Sequence, residues 1–223
     1  CLTEVYSFGR DPEYQQEFAH RYALGLYDIC ERIVKANPSI FFEGCSSGGA
    51  RFDPAMLYYS PQYWTSDNTD AIDRLEIQYG TSMCYPTSSV SSHVSAVPNH
   101  QTGRTTPLQT RGDVALAGSF GYELDVTTMS DEDKEAVKGQ IAEYHKYYDL
   151  IHFGELYRLI PPGREDCAWC YVAEDKSEAL LTFVCVRNRP RVRRRAVCFR
   201  GLDPDRLYAD DEGKVLPGSV WMH

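Results

Sequence analysis

The 223-residue sequence lacks several things that would assign it quickly. It has no apolar run of the roughly 18–20 residues that a membrane-spanning helix needs, and no stretch with the make-up of a signal peptide. A soluble, cytoplasmic protein is therefore the expectation. It is short of cations: 23 Lys and Arg stand against 32 Asp and Glu, for a net charge of −9. Nucleic-acid binding depends on clustered cations that displace counterions, so that class is excluded, and membrane contact is not expected either. The phosphate-binding pattern G-x-x-x-x-G-K-[ST] and the hydrolase elbow G-x-S-x-G are both absent. Eight cysteines are present, but they are scattered rather than spaced as a secreted disulfide framework. One CxxC, Cys167-Ala-Trp-Cys170, has no second pair to complete a tetrahedral metal site, so no metal is expected. An initiator methionine is missing too. The chain runs from Cys1 directly into patterned sequence and reads as a piece of something longer.

What is present is a heavy aromatic load, with 16 Tyr and 3 Trp, and a regular alternation of patterns. Core filling or flat platforms for hydroxylated ligands both account for such a load. Residues 12–36 read as a helix, with Pro12 in its first turn, Tyr22, Leu26, Ile29 and Ile33 along one face, and Asn37-Pro38 as the stop. Residues 39–44 read as a short buried strand, 63–66 as a second, 91–97 as a third and 119–126 as a fourth. Helices are expected over 70–80, capped by Thr69 or Asp70 with Asp73 closing a capping box, over 107–118, and over 130–149 with Ser130 as cap. On the last of these, Val137, Ile141, Tyr144 and Tyr148 share a face. Strands separated by helices imply parallel βαβ units, here half of an eightfold barrel. The pattern changes at Pro161-Pro162-Gly163. Strand-like runs over 167–172, 178–186 and 192–199 follow, which reads as antiparallel β in a second domain. Arginines at 187, 189, 191, 193, 194 and 195 read as one solvated hairpin face.

The chemistry concentrates in residues 40–70. Asp67 follows an aromatic strand end, where a barrel rim presents reactive groups; it is either a general acid or a helix cap, and Asp70 has the same choice. Trp64 would stack on a sugar or fill the core. Cys45 is a nucleophile, a buried thiol or a pocket lining, and Gly48 and Gly49 after it permit close backbone approach. His93, Asn99, His100 and Arg104 bind substrate or brace loops. Glu123 and Asp125, two apart on one strand face, form a further carboxylate pair or brace a loop.

Four ordered runs carry a resemblance. They are Phe41-Phe42-Glu43-Gly44-Cys45-Ser46-Ser47-Gly48-Gly49-Ala50-Arg51-Phe52-Asp53, the stretch from Gln62 through Tyr63-Trp64-Thr65-Ser66-Asp67 to Leu75, the stretch from His93 to Arg104, and Phe120-Gly121-Tyr122-Glu123-Leu124-Asp125. Together they resemble the α-galactosidases of glycoside hydrolase family 36. The resemblance implies an α/β fold: the second half of a (β/α)8 TIM barrel over 1–158, then a partial antiparallel β-sandwich over 159–223. It also implies a retaining hydrolase of terminal α-galactosyl groups in melibiose- and raffinose-type oligosaccharides, needing no cofactor and assembled as a homotetramer. Asp67 matches the family's general acid/base, and Cys45, Gly48 and Trp64 match sugar-contacting positions. The family's nucleophile is an Asp in a K-x-D-x-N-R type motif, which these residues do not contain. The 223 residues by themselves are accordingly expected to be inactive. The alternative is a non-catalytic carbohydrate-binding or assembly module of the same fold.

Overall fold

The computed structural model describes residues 8–9, 11–163, 165–188, 190 and 196–223. The chain forms two compact units, Cys1–Asp67 and Asn68–His223.

In the first unit a turn of 3-10 helix at Pro12–Tyr14 leads into α1, Gln15–Ala36. Asn37 ends α1: its backbone N–H reaches the carbonyls of Ile33 and Val34, and its side-chain amide donates to Ile33 O at 2.9 Å. Three of the four residues of the expected face, Tyr22, Ile29 and Ile33, are exposed. The covered row is Leu26, Tyr27, Cys30 and Val34, and Tyr27 stacks on Tyr59 with centroids 6.2 Å apart. Both rows have helical spacing, so periodicity alone could not choose between them. Tyr59 belongs to α2, Pro54–Tyr59, which starts at a cap: Asp53 Oδ1 accepts the Met56 N–H at 2.9 Å. Strand β1 is only Glu43–Gly44, paired in parallel with β2, Gln62–Tyr63. The strands expected over 39–44 and 63–66 are thus shorter, and Ile40 and Phe41, expected in a buried strand, are exposed.

The second unit continues the alternation. Helix α3, Ala71–Thr81, precedes β3, Ser91–Ser95; α4, Leu108–Ala115, then crosses over to β4, Ser119–Glu123. β3 and β4 pair in parallel from Ser91↔Ser119 to Ser95↔Glu123. Helix α5, Asp131–Phe153, is capped by Ser130, whose Oγ accepts the Asp133 N–H. Its inward row is Val137, Gln140, Tyr144, Tyr147 and Ile151; Ile141 and Tyr148, expected inside, are exposed. Gln140 takes that place because its amide is satisfied there. It donates to Leu108 O at 3.0 Å and accepts from Tyr122 Oη at 2.7 Å.

An antiparallel sheet follows, β5 (Glu155–Ile160), β6 (Asp166–Val172) and β7 (Ala179–Cys185), in that order. β5 precedes the pattern change at Pro161 and runs across the expected division between 158 and 159. Central β6 is buried on both faces. Cys167, Trp169 and Tyr171 pack with Leu75, Val114, Leu150 and Ile151, whereas Cys170 and Val172 pack with Leu202. The CxxC spacing in a strand therefore sends its two sulfurs to opposite faces. Burial raises the pKa of both thiols, that of Cys167 to about 11. A hairpin of β8 (Leu207–Ala209) and β9 (Val215–Pro217) and the short α6 (Gly218–Trp221) complete the chain. Of the strand expected over 192–199, residues 192–195 lie outside the described residues, as do the arginines at 189, 191 and 193–195, and 196–199 form no regular element. Among the described residues no helix is long and apolar enough to cross a membrane.

Candidate active site

All four residues expected to carry chemistry lie in the first unit, Cys45 and Gly48 in the loop after β1 and Trp64 and Asp67 in the stretch after β2. The loop is unusual in its backbone. Ser47, Gly48 and Gly49 have φ of 50°, 68° and 92°, three left-handed residues in succession. The Ala50 N–H donates to Ser46 O at 3.0 Å, closing the turn. That conformation costs an L-residue with a side chain about 1–2 kcal/mol, and glycine avoids the cost at two of the three positions. Two further bonds tie the turn down: the Phe52 N–H to Gly49 O at 2.9 Å, and Arg51 Nε to Ser46 Oγ at 2.8 Å.

The glycines let the loop close on β2 and the residues after it. A methyl group on Gly44 would run into the Tyr63 ring, whose centroid lies 5.1 Å from that of Phe52 with the planes 6° apart. A methyl on Gly48 would sit 2.6 Å from the Asp67 amide nitrogen and 2.8 Å from Ser66 Cα. One on Gly49 would sit 3.0 Å from Thr65 O. The Trp64 N–H donates to Gly44 O at 2.9 Å, and its side chain is 8% exposed. Cys45 is exposed, which removes the buried-thiol reading. Asp67 is exposed as well. So the structure brings Gly48 against the backbone of Asp67, and sets Cys45 and Trp64 directly after the paired residues Gly44 and Tyr63.

In the second unit the cap of α3 is Asp70. Its Oδ1 accepts the N–H groups of Ile72 at 2.9 Å and Asp73 at 3.1 Å. Asp73 does not close a capping box; it accepts from Asn68 Nδ2 at 2.8 Å and pairs with Arg104 at 3.1 Å. Asp70, 2% exposed, also accepts from Thr102 Oγ1 at 2.8 Å and pairs with Arg104. Burial works to raise its pKa. The bonds from Thr102 and from the amides of Asp73 and Ile72, with the Arg104 charge, outweigh that and hold it below the ordinary value. Asn99 donates to Thr69 Oγ1 at 2.9 Å and accepts the N–H groups of Gln101 and Thr102. Asn99 and Arg104 therefore brace the loop after β3. His93 is half-buried and packs beside Gly121 of the neighbouring strand, and His100 is exposed. Asp125 braces a turn by accepting from the N–H and Oγ1 of Thr127.

Sequence reasoning missed two parts of this arrangement. The Asp70–Thr102–Arg104 clamp joins positions more than thirty residues apart, although the cap that anchors it was visible. Arg74 on α3 is buried and donates to Ser91 O at 2.8 Å; burial lowers its pKa to about 10 against the opposing charge of Glu123. No local pattern marks that residue as internal. Among the described residues no group of His, Cys, Asp and Glu is placed to hold a metal ion.

Parallel strands alternating with helices, then antiparallel strands, with a glycine turn and an exposed carboxylate after neighbouring strands, define part of an α/β barrel with an appended β domain. Residues 1–154 match the family model described as Melibiase, and residues 166–223 match the glycosyl hydrolase family 36 C-terminal domain. Alpha-galactosidase AgaA of Geobacillus stearothermophilus is 50% identical over 223 residues, all of this chain and 31% of that protein. Alpha-galactosidase Mel36A of Lactobacillus acidophilus is 48% identical, over all of this chain and 30% of its own length. A crystal structure of an AgaA variant in complex with raffinose superposes with a TM-score of 0.95 at 47% identity, covering 100% of this chain and 31% of that one. Another AgaA variant, in complex with stachyose, gives 0.94 at 48%, again over 100% and 31%. The chain belongs to glycoside hydrolase family 36. Its fold is that of the second half of the (β/α)8 barrel followed by the antiparallel β domain, and it spans about a third of the length of these relatives.

Proposed function

We propose that this chain supplies the general acid/base half of a retaining α-galactosidase, with Asp67 as the proton-transferring carboxylate. The observation that carries the reading is a division of labour between two neighbouring acids. Asp70 is spent on capping α3 and on the ion pair with Arg104, while Asp67 stays exposed beyond β2 with its amide against the glycine turn. Cleaving an acetal with retention takes two carboxyl groups about 5–5.5 Å apart. One attacks the anomeric carbon as the other protonates the departing oxygen; the same acid, now a base, then takes a proton from the water that releases the sugar. Asp67 fits the second role, and the attacking carboxylate comes from outside these 223 residues. Cys45, Gly48 and Trp64 are proposed to contact the galactosyl group: Cys45 offers an exposed side chain, Gly48 a bare backbone, and the largely buried Trp64 a wall rather than an open platform.

The proposed substrates are terminal α-galactosides such as melibiose and raffinose. Two variants of one relative, AgaA, have been solved with raffinose and with stachyose bound, which supports that class. A homotetrameric whole protein rests on the family resemblance and a cytoplasmic location on the make-up of the sequence; sedimentation and cell fractionation would check them. The function is tested with Asp67→Ala in the full-length protein, using nitrophenyl α-galactoside and added azide. Azide needs no deprotonation, so it should take the place of water, restore turnover and yield α-galactosyl azide. Full activity of the variant without azide would refute the assignment. The 223 residues alone should release no nitrophenol; release abolished by Asp67→Ala would place a complete site within them.

A further inference from the structure

We infer that Gly48 and Gly49 are positioning residues, whose bare α-carbons seat the Thr65–Asp67 backbone and so fix where the Asp67 carboxylate starts. The inference rests on Asp67 being the acid/base, and goes beyond a sugar-contacting role for Gly48. The atoms that side chains here would meet are backbone atoms: Asp67 N at 2.6 Å and Ser66 Cα at 2.8 Å for Gly48, and Thr65 O at 3.0 Å for Gly49. None can rotate aside as a flexible side chain would. Nor is the turn free to retreat. It is held by the Ala50–Ser46 and Phe52–Gly49 backbone bonds and by Arg51 on Ser46, and Phe52 is stacked on Tyr63 of β2 itself. An added methyl is therefore relieved by moving residues 65–67. Proton transfer requires the acid within about 2.6–3.2 Å of the leaving oxygen, and a displacement of about 1 Å can cost on the order of 10²-fold.

A displaced acid and a lost sugar contact leave different signatures. All α-galactosides share the sugar, so a lost contact lowers kcat/KM for all of them alike. Protonation matters for a sugar alcohol leaving group and much less for nitrophenolate, which departs unaided. In the full-length protein, the ratio of kcat/KM for melibiose to that for nitrophenyl α-galactoside should fall about tenfold or more in Gly48→Ala and Gly49→Ala, short of the 10²-fold of a full 1 Å shift. Asp67→Ala should move the ratio the same way and further. Gly213→Ala controls for left-handed strain, since Gly213 has φ of 83° with no atom within 4 Å of the added methyl; its ratio should not change. Should Gly48→Ala fail to fold, Gly49→Ala decides, because its 3.0 Å contact asks for a shift of only a few tenths of an ångström. If Asp67→Ala shifts the ratio and the folded glycine variants do not, the seating role is wrong and the acid/base role stands. If Asp67→Ala leaves the ratio unchanged, the acid/base role is wrong and the seating role falls with it.

Discussion

At the scale of single residues, Ser47 carries strain that its two neighbours avoid. It stands at φ of 50° with a side chain, beside glycines that adopt the same hand freely. Ser47→Gly should therefore stabilise the fold, by up to about 1 kcal/mol once the extra freedom of the unfolded glycine is counted. A urea titration checks this, and an unchanged or lower midpoint would contradict it. The same turn shows what is legible residue by residue. That Gly48 and Gly49 break the chain and let backbones approach is readable from the sequence. What they approach is not, because it depends on β1 pairing with β2 across nineteen positions, Glu43 to Gln62. Asp70 as a candidate cap was readable; its third and fourth partners, Thr102 and Arg104, were not.

At the scale of elements, α3 and the loop after β3 are joined through Asp70. Its folded pKa is depressed, so its contribution to stability is present above the unfolded value of about 3.9 and is lost as pH falls through the folded one. Below about pH 4 the wild type should lose stability that Asp70→Asn, which keeps a capping oxygen without the charge, does not have to lose. Denaturation midpoints of both proteins between pH 7 and 3 test this, and parallel curves would contradict it. Helix α5 makes a second case. Gln140 is buried and bonded on both sides of its amide. Gln140→Ala removes the nearer acceptor of Tyr122 Oη and the side-chain donor to Leu108 O, and should cost about 1–3 kcal/mol, read from the urea midpoint. These helices also show where periodicity ends. α1 was found with its stop at Asn37 and α5 with its cap at Ser130, yet the buried row differs from the most apolar one. Burial is set by the neighbour, Tyr59 for α1 and Leu108 with Tyr122 for α5, and a polar residue whose bonds are met can sit inside.

At the scale of the whole molecule, the alternation of helices and strands followed by antiparallel β was legible, because hydrophobic period and turn residues change together. The sheet's first strand was not: Glu155–Ile160 follows α5 with only Gly154 between, so no turn signal announces it. The three-residue strands β8 and β9 are too short to show a period. The chain's shape leaves a single functional question at its centre, which is whether Asp67 moves the proton. The most direct measurement is kcat/KM of the full-length protein and its Asp67→Ala variant on melibiose and on nitrophenyl α-galactoside. The expected result is a loss on melibiose of order 10²–10⁴-fold and a much smaller loss on the aryl substrate, whose leaving group needs no proton. Equal losses on the two substrates, or none, would contradict it.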